Sequence, residues 1–174
     1  WIANADFTAP MKLPVTGNGA PVTWSPDGTR IAATSDQWSA ADVVVVPASG
    51  GPVRRITHGG GWHGHSFWSR DGDRLAINET AQGGTYRTSV ISLASGKATL
   101  LLPHETHPFF GTWSPDGSHV AYFRQDGPKS TLWVADSAGE HPRQLTTEGF
   151  EGWNWYPNAS PWSPDGKDVL YESR

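Results

Sequence analysis

The chain has 174 residues, enough for one domain with a real core, and its formal net charge of -4 lacks the basic excess of a nucleic-acid binder. Gly 20 and Pro 14 beside a hydrophobic share of 36% point to many tight turns, and no run of about 18 apolar residues exists to span a membrane. Cysteine is absent, which excludes disulfides and thiolate chemistry and leaves the redox compartment open.

The chain opens on Trp1-Ile2-Ala3-Asn4-Ala5-Asp6, with no leader pattern and no initiating Met, as expected of a processed or excised piece. The opening reads like Trp133-Val134-Ala135-Asp136 far downstream. Trp1 precedes Leu13 by 12 positions, and Val44 precedes Ile56, Val90 precedes Leu102 and Trp133 precedes Leu145 by the same 12. Residues 1–16 are therefore expected to supply the third and fourth strands of a four-stranded unit.

The string WSPDG comes next, at Trp24–Gly28, and returns at Trp113–Gly117 and Trp162–Gly166, with a variant, WSRDG, at Trp68–Gly72. The Trp residues are 44, 45 and 49 apart, and a propeller blade of four strands needs about 40–50 residues. Pro-Asp-Gly is a tight-turn signal, because Pro presets φ, Asp bonds nearby backbone and Gly accepts positive φ. Asp27, Asp71, Asp116 and Asp165 are thus assigned to turns and not to catalysis. After each turn an apolar second strand is expected: Ile31-Ala32-Ala33, Leu75-Ala76-Ile77, Val120-Ala121-Tyr122 and Val169-Leu170-Tyr171. Third strands follow at Val43–Val46, Ser89–Ser92 and Leu132–Ala135, and fourth strands end near Ile56, Leu102 and Leu145. The second and third strands scarcely alternate, as expected where sheets stack and bury both faces. The charged fourth strands suit an outer edge. Pieces 17–57, 58–103 and 104–147 are three full blades, and 148–174 supplies the first two strands of another. That makes four blade equivalents in a single all-β propeller domain or propeller segment, with split closure of one blade by the N-terminal and C-terminal strands.

Four WSPDG-type motifs at blade spacing resemble the TolB-type, WD40-like PD40 repeat family. The resemblance implies a β-propeller of four-stranded antiparallel blades. It also implies a non-catalytic binding or interaction module and a periplasmic or extracellular setting. Family members usually carry more than four blades. The chain could close as a four-bladed ring, pair with a second copy as a homodimer forming an eight-bladed ring, or be a segment of a longer propeller.

Strand order places the candidate site. The connection from strand two to strand three, and that from strand four to the next strand one, open on one face, here the top face. Trp38, Trp62, Trp153 and Trp155 fall in these connections, and so do His58, His63, His65, His104 and His107. The repeat requires none of them. Trp38, Trp62, His63, His65, His107, Trp153, Asn154, Trp155 and Tyr156 are therefore the candidate ligand-binding residues. Aromatic faces beside Asn and Glu suit sugar rings, so the expected partner is a protein or a saccharide. The competing expectation is that these aromatics fill the central channel as core.

His63 and His65 stand two apart, so on a strand both imidazoles could meet one ion, with His104 or His107 as a third ligand. The spacing alone is too common to assign a metal, and no metal, cofactor or catalytic residue is assigned. Lyases of the oligogalacturonate lyase type, built on similar repeats, place His just before the first strand of the repeat. That likeness implies a second reading, a carbohydrate-active enzyme or part of one. His63, His65 or His107 would be its base or ligand, and Arg87 or Arg124, both expected in top-face loops, would hold a uronate carboxylate. No G-x-S-x-G elbow is present for a serine hydrolase. Asn78-Glu79-Thr80 and Asn158-Ala159-Ser160 match the N-glycosylation triplet, which is common by chance.

Overall fold

A computed structural model describes residues 1–6, 8–17, 22–38, 41–58, 63–80, 84–105, 107–151 and 161–171. Among these residues all regular structure is β. The first sheet is β1 (Thr23–Trp24), β2 (Arg30–Ser35), β3 (Asp42–Pro47) and β4 (Arg54–Arg55). The second is β5 (His63–Trp68), β6 (Arg74–Thr80), β7 (Tyr86–Ser92) and β8 (Ala98–Leu100). The third is β9 (Pro108–Trp113), β10 (His119–Asp126), β11 (Lys129–Asp136) and β12 (Arg143–Gln144), with β13 (Phe150–Glu151) also paired to β11. Each sheet runs in chain order with antiparallel neighbours, which is the blade meander of a propeller. No helix of the described residues is long and apolar enough to cross a membrane.

The turn between the first two strands explains the motif down to its Ser. Ser25 Oγ donates to Asp27 Oδ1 at 2.5 Å and accepts the Arg30 amide at 2.9 Å, while the Thr29 amide donates to Asp27 Oδ1 at 3.0 Å. Gly28 closes the turn at φ 69, which a side chain disfavours. Ser69, Ser114 and Ser163 repeat both bonds, to Asp71, Asp116 and Asp165 and from the amides of Arg74, His119 and Asp168. The Ser hydroxyl holds the Asp27 carboxyl down to about 2, helped by the Thr29 amide and hydroxyl, and Asp71, Asp116 and Asp165 are lowered in the same way. The structural assignment of these four Asp residues follows from this geometry.

Between the blades lies apolar core. Ala32, Val43 and Val45 of the first sheet pack with Leu75, Ile77 and Ile91 of the second. Ala76 and Val90 of the second pack with Trp113, Val120, Tyr122 and Ala135 of the third. The second sheet thus buries both faces, which is why its strands lack alternation. The fourth strands are two or three residues long and largely exposed.

At the N-terminus Ile2 pairs with Met11 through two backbone bonds, as Val45 pairs with Arg54 and Val134 with Arg143. Where a third and a fourth strand are expected, the described residues form one isolated bridge. Residues Trp162 and Val169 form the matching bridge at the other end, where Leu170 and Tyr171 are exposed rather than packed. No pairing of one terminal bridge with the other is recorded among the described residues. Position in the chain also separates the motif Trp residues. Trp113 is 6% exposed under the second sheet, whereas Trp24 is 51% exposed, with no four-stranded sheet described before it.

Candidate binding site at the top end of the blades

The site begins with a correction. His63 and His65 were expected in a Gly-rich loop but lie on β5, and both are buried, at 7% and 8% exposure. The strand forms because it is clamped from two sides. His63 sits opposite Glu79 of β6. The Gly64 carbonyl accepts the Thr34 hydroxyl at 3.1 Å, and the Ser66 carbonyl accepts the Thr23 hydroxyl at 3.2 Å, both from the first sheet. Register shifts between His63 and Ser66, so the alternation that would aim both imidazoles at one ion is interrupted. Among the described residues no group of three or more His, Cys, Asp or Glu is placed to hold a metal ion.

A polar network crosses the junction of the first two blades. His63 Nδ1 faces the Ala41 carbonyl at 3.0 Å and lies 3.8 Å from Asp42 Oδ1, while Nε2 lies 3.3 Å from Glu79 Oε2. Asp42 is fully buried. Its Oδ2 accepts Nε and Nη2 of Arg55 at 3.0 and 2.6 Å, and its Oδ1 accepts the Thr57 hydroxyl at 2.9 Å. On the other side Arg87 Nε donates to Glu79 Oε1 at 2.8 Å, and the Ser89 hydroxyl donates to the same oxygen. The imidazole hydrogen bond, then Ser89 and Arg87, hold the Glu79 carboxyl down to about 2 against the effect of burial. Glu79 in turn raises His63 above its ordinary value. The Arg55 guanidinium lies 5.0 Å over the Trp38 ring, a cation–π contact that places this candidate aromatic at the head of the network.

The third blade carries different residues at the same end. Arg124 Nη1 is 3.6 Å from Glu105 Oε2, and its guanidinium lies 4.9 Å over Trp133, whose indole donates to Thr131 Oγ1 at 2.8 Å. Burial, with Glu105 nearby, raises the Tyr122 phenol. Arg87 and Arg124 are on β7 and β10, not in loops as expected, and each is already set against a carboxylate. His107 is exposed at φ 55, and no bond joins it to His63 or His65 among the described residues. Its neighbour His104 pairs with Glu140 at 3.6 Å on the surface. Trp62, Trp153, Asn154, Trp155 and Tyr156 lie outside the described residues. Asn78 of the first glycosylation triplet is buried at 3% exposure, which keeps its side-chain nitrogen from solvent; Asn158 lies outside the described residues.

Sequence reasoning missed Asp42, Arg55, Glu79 and Glu105. A signal for one position was present. Ser35, Glu79 and Arg124 each stand 11 residues after their motif Trp. The repeat loses its grammar there, at the top end of the second strand.

Comparison with known proteins agrees with this architecture. The profile of the TolB beta propeller domain, PD40, matches residues 2–157. Tricorn protease homolog 1 of Streptomyces coelicolor is 30% identical, over 90% of this chain and 16% of that protein. A solved TolB-like structure from Agrobacterium tumefaciens superposes with a TM-score of 0.66 at 20% identity, over 80% of this chain and 52% of that one. An oligogalacturonate lyase solved in complex with manganese superposes at 0.57 and 18% identity, over 83% of this chain and 42% of that one. The chain spans about a sixth of the tricorn homolog and about half of the TolB-like structure. At these identities the structural likenesses show the fold alone.

Proposed function

The chain belongs to the TolB β-propeller domain family, and from that premise we propose that it is a non-catalytic binding module taking a protein or a saccharide at the top end of its blades. One observation carries the reading. The turn ends repeat from blade to blade, whereas the top ends share little beyond Thr57 and Thr146, and the first blade alone carries Trp38 on Arg55 and meets the second through the His63–Glu79 pair. In a repeat fold the repeated contacts suffice to dock each unit on the next, so residues outside the pattern need a further reason. Residues that depart from the repeat at one end, and bring an aromatic ring and charges there, fit recognition of a partner. Trp62, Trp153 and Trp155 are assigned to the same proposed surface on the strand order of the repeat alone. A periplasmic or extracellular location accompanies the reading, as does closure of one blade by the two terminal hairpins, within one chain or between two copies.

The binding reading also suits the state of the charged groups. Each Arg and acid of the network is engaged with another, and His63 is buried, which favours a rigid scaffold over a base waiting for substrate. A lyase-type enzyme is the second reading, favoured by the convergence of His63 and Arg87 on Glu79 at the end of an inner strand.

The two readings separate in one experiment. The chain is applied to an array of glycans and envelope proteins, and in parallel incubated with uronate polymers while the absorbance of unsaturated products is followed. Retention of a saccharide or protein without new absorbance is expected. Turnover of the polymer would replace the binding reading with the enzymatic one.

A further inference from the structure

We infer that His63 is a protonation-dependent latch between the first and second blades, its imidazolium tying the Ala41 carbonyl of one blade to the Glu79 carboxylate of the other. A backbone carbonyl can only accept, and an ionised carboxylate can only accept. His63 Nδ1 faces the first at 3.0 Å, and Nε2 faces the second at 3.3 Å. Both ring nitrogens must therefore carry a proton, and the ring that satisfies this geometry is the cation. In the neutral ring one nitrogen would present a lone pair to an oxygen lone pair. At 7% exposure, water has little room to relieve that clash.

The charged surroundings favour the same state. Asp42 of β3 faces the ring from the first blade, with Arg55 of β4 behind it. Glu79 of β6 faces it from the second blade, with Arg87 and Ser89 of β7 behind it. His65 lies two residues along its own strand. The nearest groups are carboxylates and each Arg is one group further away, so the field at the ring stabilises positive charge.

The latch acts at one end of the junction only. The other ties between these blades use hydroxyl, indole, guanidinium and backbone donors: Thr34 to the Gly64 carbonyl, Thr23 to the Ser66 carbonyl, the Trp68 indole to the Thr23 carbonyl, Arg30 to the Gly72 carbonyl, and the His63 amide to the Ala41 carbonyl. Loss of the His63 proton would loosen the top end while the turn end stays joined. The direction follows from linkage. His63 is raised in the folded state, so its contribution is complete below its unfolded value near 6.5 and disappears as pH rises through the folded value. Glu79 limits the latch on the acid side, where its carboxylate protonates at about 2. The latch is closed between the value of Glu79 and the raised value of His63, and opens as pH rises through the latter. It rests on the blade junction and not on what the top face binds.

The test uses nitrogen NMR of the histidine rings in the full chain, with hydrogen exchange corrected for its intrinsic pH dependence. At pH 6 both His63 nitrogens should be protonated, with a titration midpoint above about 6.5. Protection of the His63 amide, which donates to the Ala41 carbonyl at 3.3 Å, should fall about tenfold across that midpoint, while the Ser69 and Gly72 amides hold theirs. Glu79→Gln should lower the midpoint, and His63→Gln should remove the step in protection. A neutral His63 tautomer at pH 6 would overturn the latch, as would an unchanged alkaline step in His63→Gln. The ring signals of the unaltered chain decide the matter if either variant fails to fold.

Discussion

The two ends of the blade junctions differ in kind. At the turn end, the first junction repeats in the second. Arg30 lies 5.0 Å over Trp68, and Arg74 lies 5.7 Å over Trp113. Arg30 donates to the Gly72 carbonyl, and Arg70, where the motif otherwise has Pro, donates to the Pro115 carbonyl. At the top end the described residues of the blades share little beyond the Thr57 and Thr146 hydroxyls, which accept the Val43 and Leu132 amides. The first junction has Asp42, His63 and Glu79; the third blade brings Glu105, Arg124 and Trp133 to the corresponding end. A fold built from copies needs each copy to dock on the next, and the turn end supplies that docking in a form that can be repeated. The top end is then free to vary, and its polar residues hold each other in place instead of holding a common pattern.

The largest effect should come from the top end, because its charges are buried. Asp42→Ala removes a fully buried carboxylate and leaves Arg55 and Thr57 without their acceptor. It should cost about 3–5 kcal/mol in urea unfolding. A loss under about 1 kcal/mol would show that Arg55 finds water or another partner, and would make the top end as tolerant as a surface loop. The next effect belongs to the turn end. Gly117 is at φ 75, and a Cβ there would meet its nearest atom, Arg70 Cβ, at an ordinary 3.6 Å. Gly117→Val should therefore suffer from backbone conformation and not from crowding, costing about 1–3 kcal/mol. Gly28, at φ 69 with nothing within 4 Å, should give the same loss when replaced by Val. An unchanged melting temperature at both sites would break the assigned turn geometry.

Smaller effects sharpen the contrast. Arg74→Ala should cost about 0.5–1 kcal/mol through its stacking on Trp113. Arg30→Ala loses the bond to Gly72 as well and should cost about 1 kcal/mol more. If only one of them mattered, the turn end would not be a repeated device. Trp38→Ala should have the least effect on stability, on the order of 0.5 kcal/mol, because the ring is only half-buried beyond its contact with Arg55.

The same contrast governs what was legible in the sequence. WSPDG sets the register of each blade, so the expected second strands fall inside β2, β6 and β10 and the third strands inside β3, β7 and β11. Trp24 and Trp113 look alike in sequence, yet one is half exposed and the other buried. Their difference comes from what precedes them in space, which a motif does not record. His63 and His65 read as loop because three glycines precede Trp62, and the strand there depends on Thr34, Thr23 and Glu79 from other strands. Asp42 immediately precedes the expected third strand Val43–Val46, and nothing in the repeat singles it out. Only the fold brings Arg55, Thr57 and His63 around it, from positions 13, 15 and 21 residues away.

Recognition is proposed for the top end, and the docking that repeats from blade to blade belongs to the turn end. Binding to the glycan and envelope-protein array, compared for the unaltered chain, Trp38→Ala and Arg70→Ala, tests this division most directly. Trp38→Ala should lower retention of the captured partner at least about tenfold with the melting temperature nearly unchanged. Arg70→Ala, which loses only its bond to the Pro115 carbonyl at the turn end, should bind as the unaltered chain does while unfolding slightly earlier. Loss of binding in Arg70→Ala with Trp38→Ala unaffected would contradict the account, and so would a chain that retains nothing on the array.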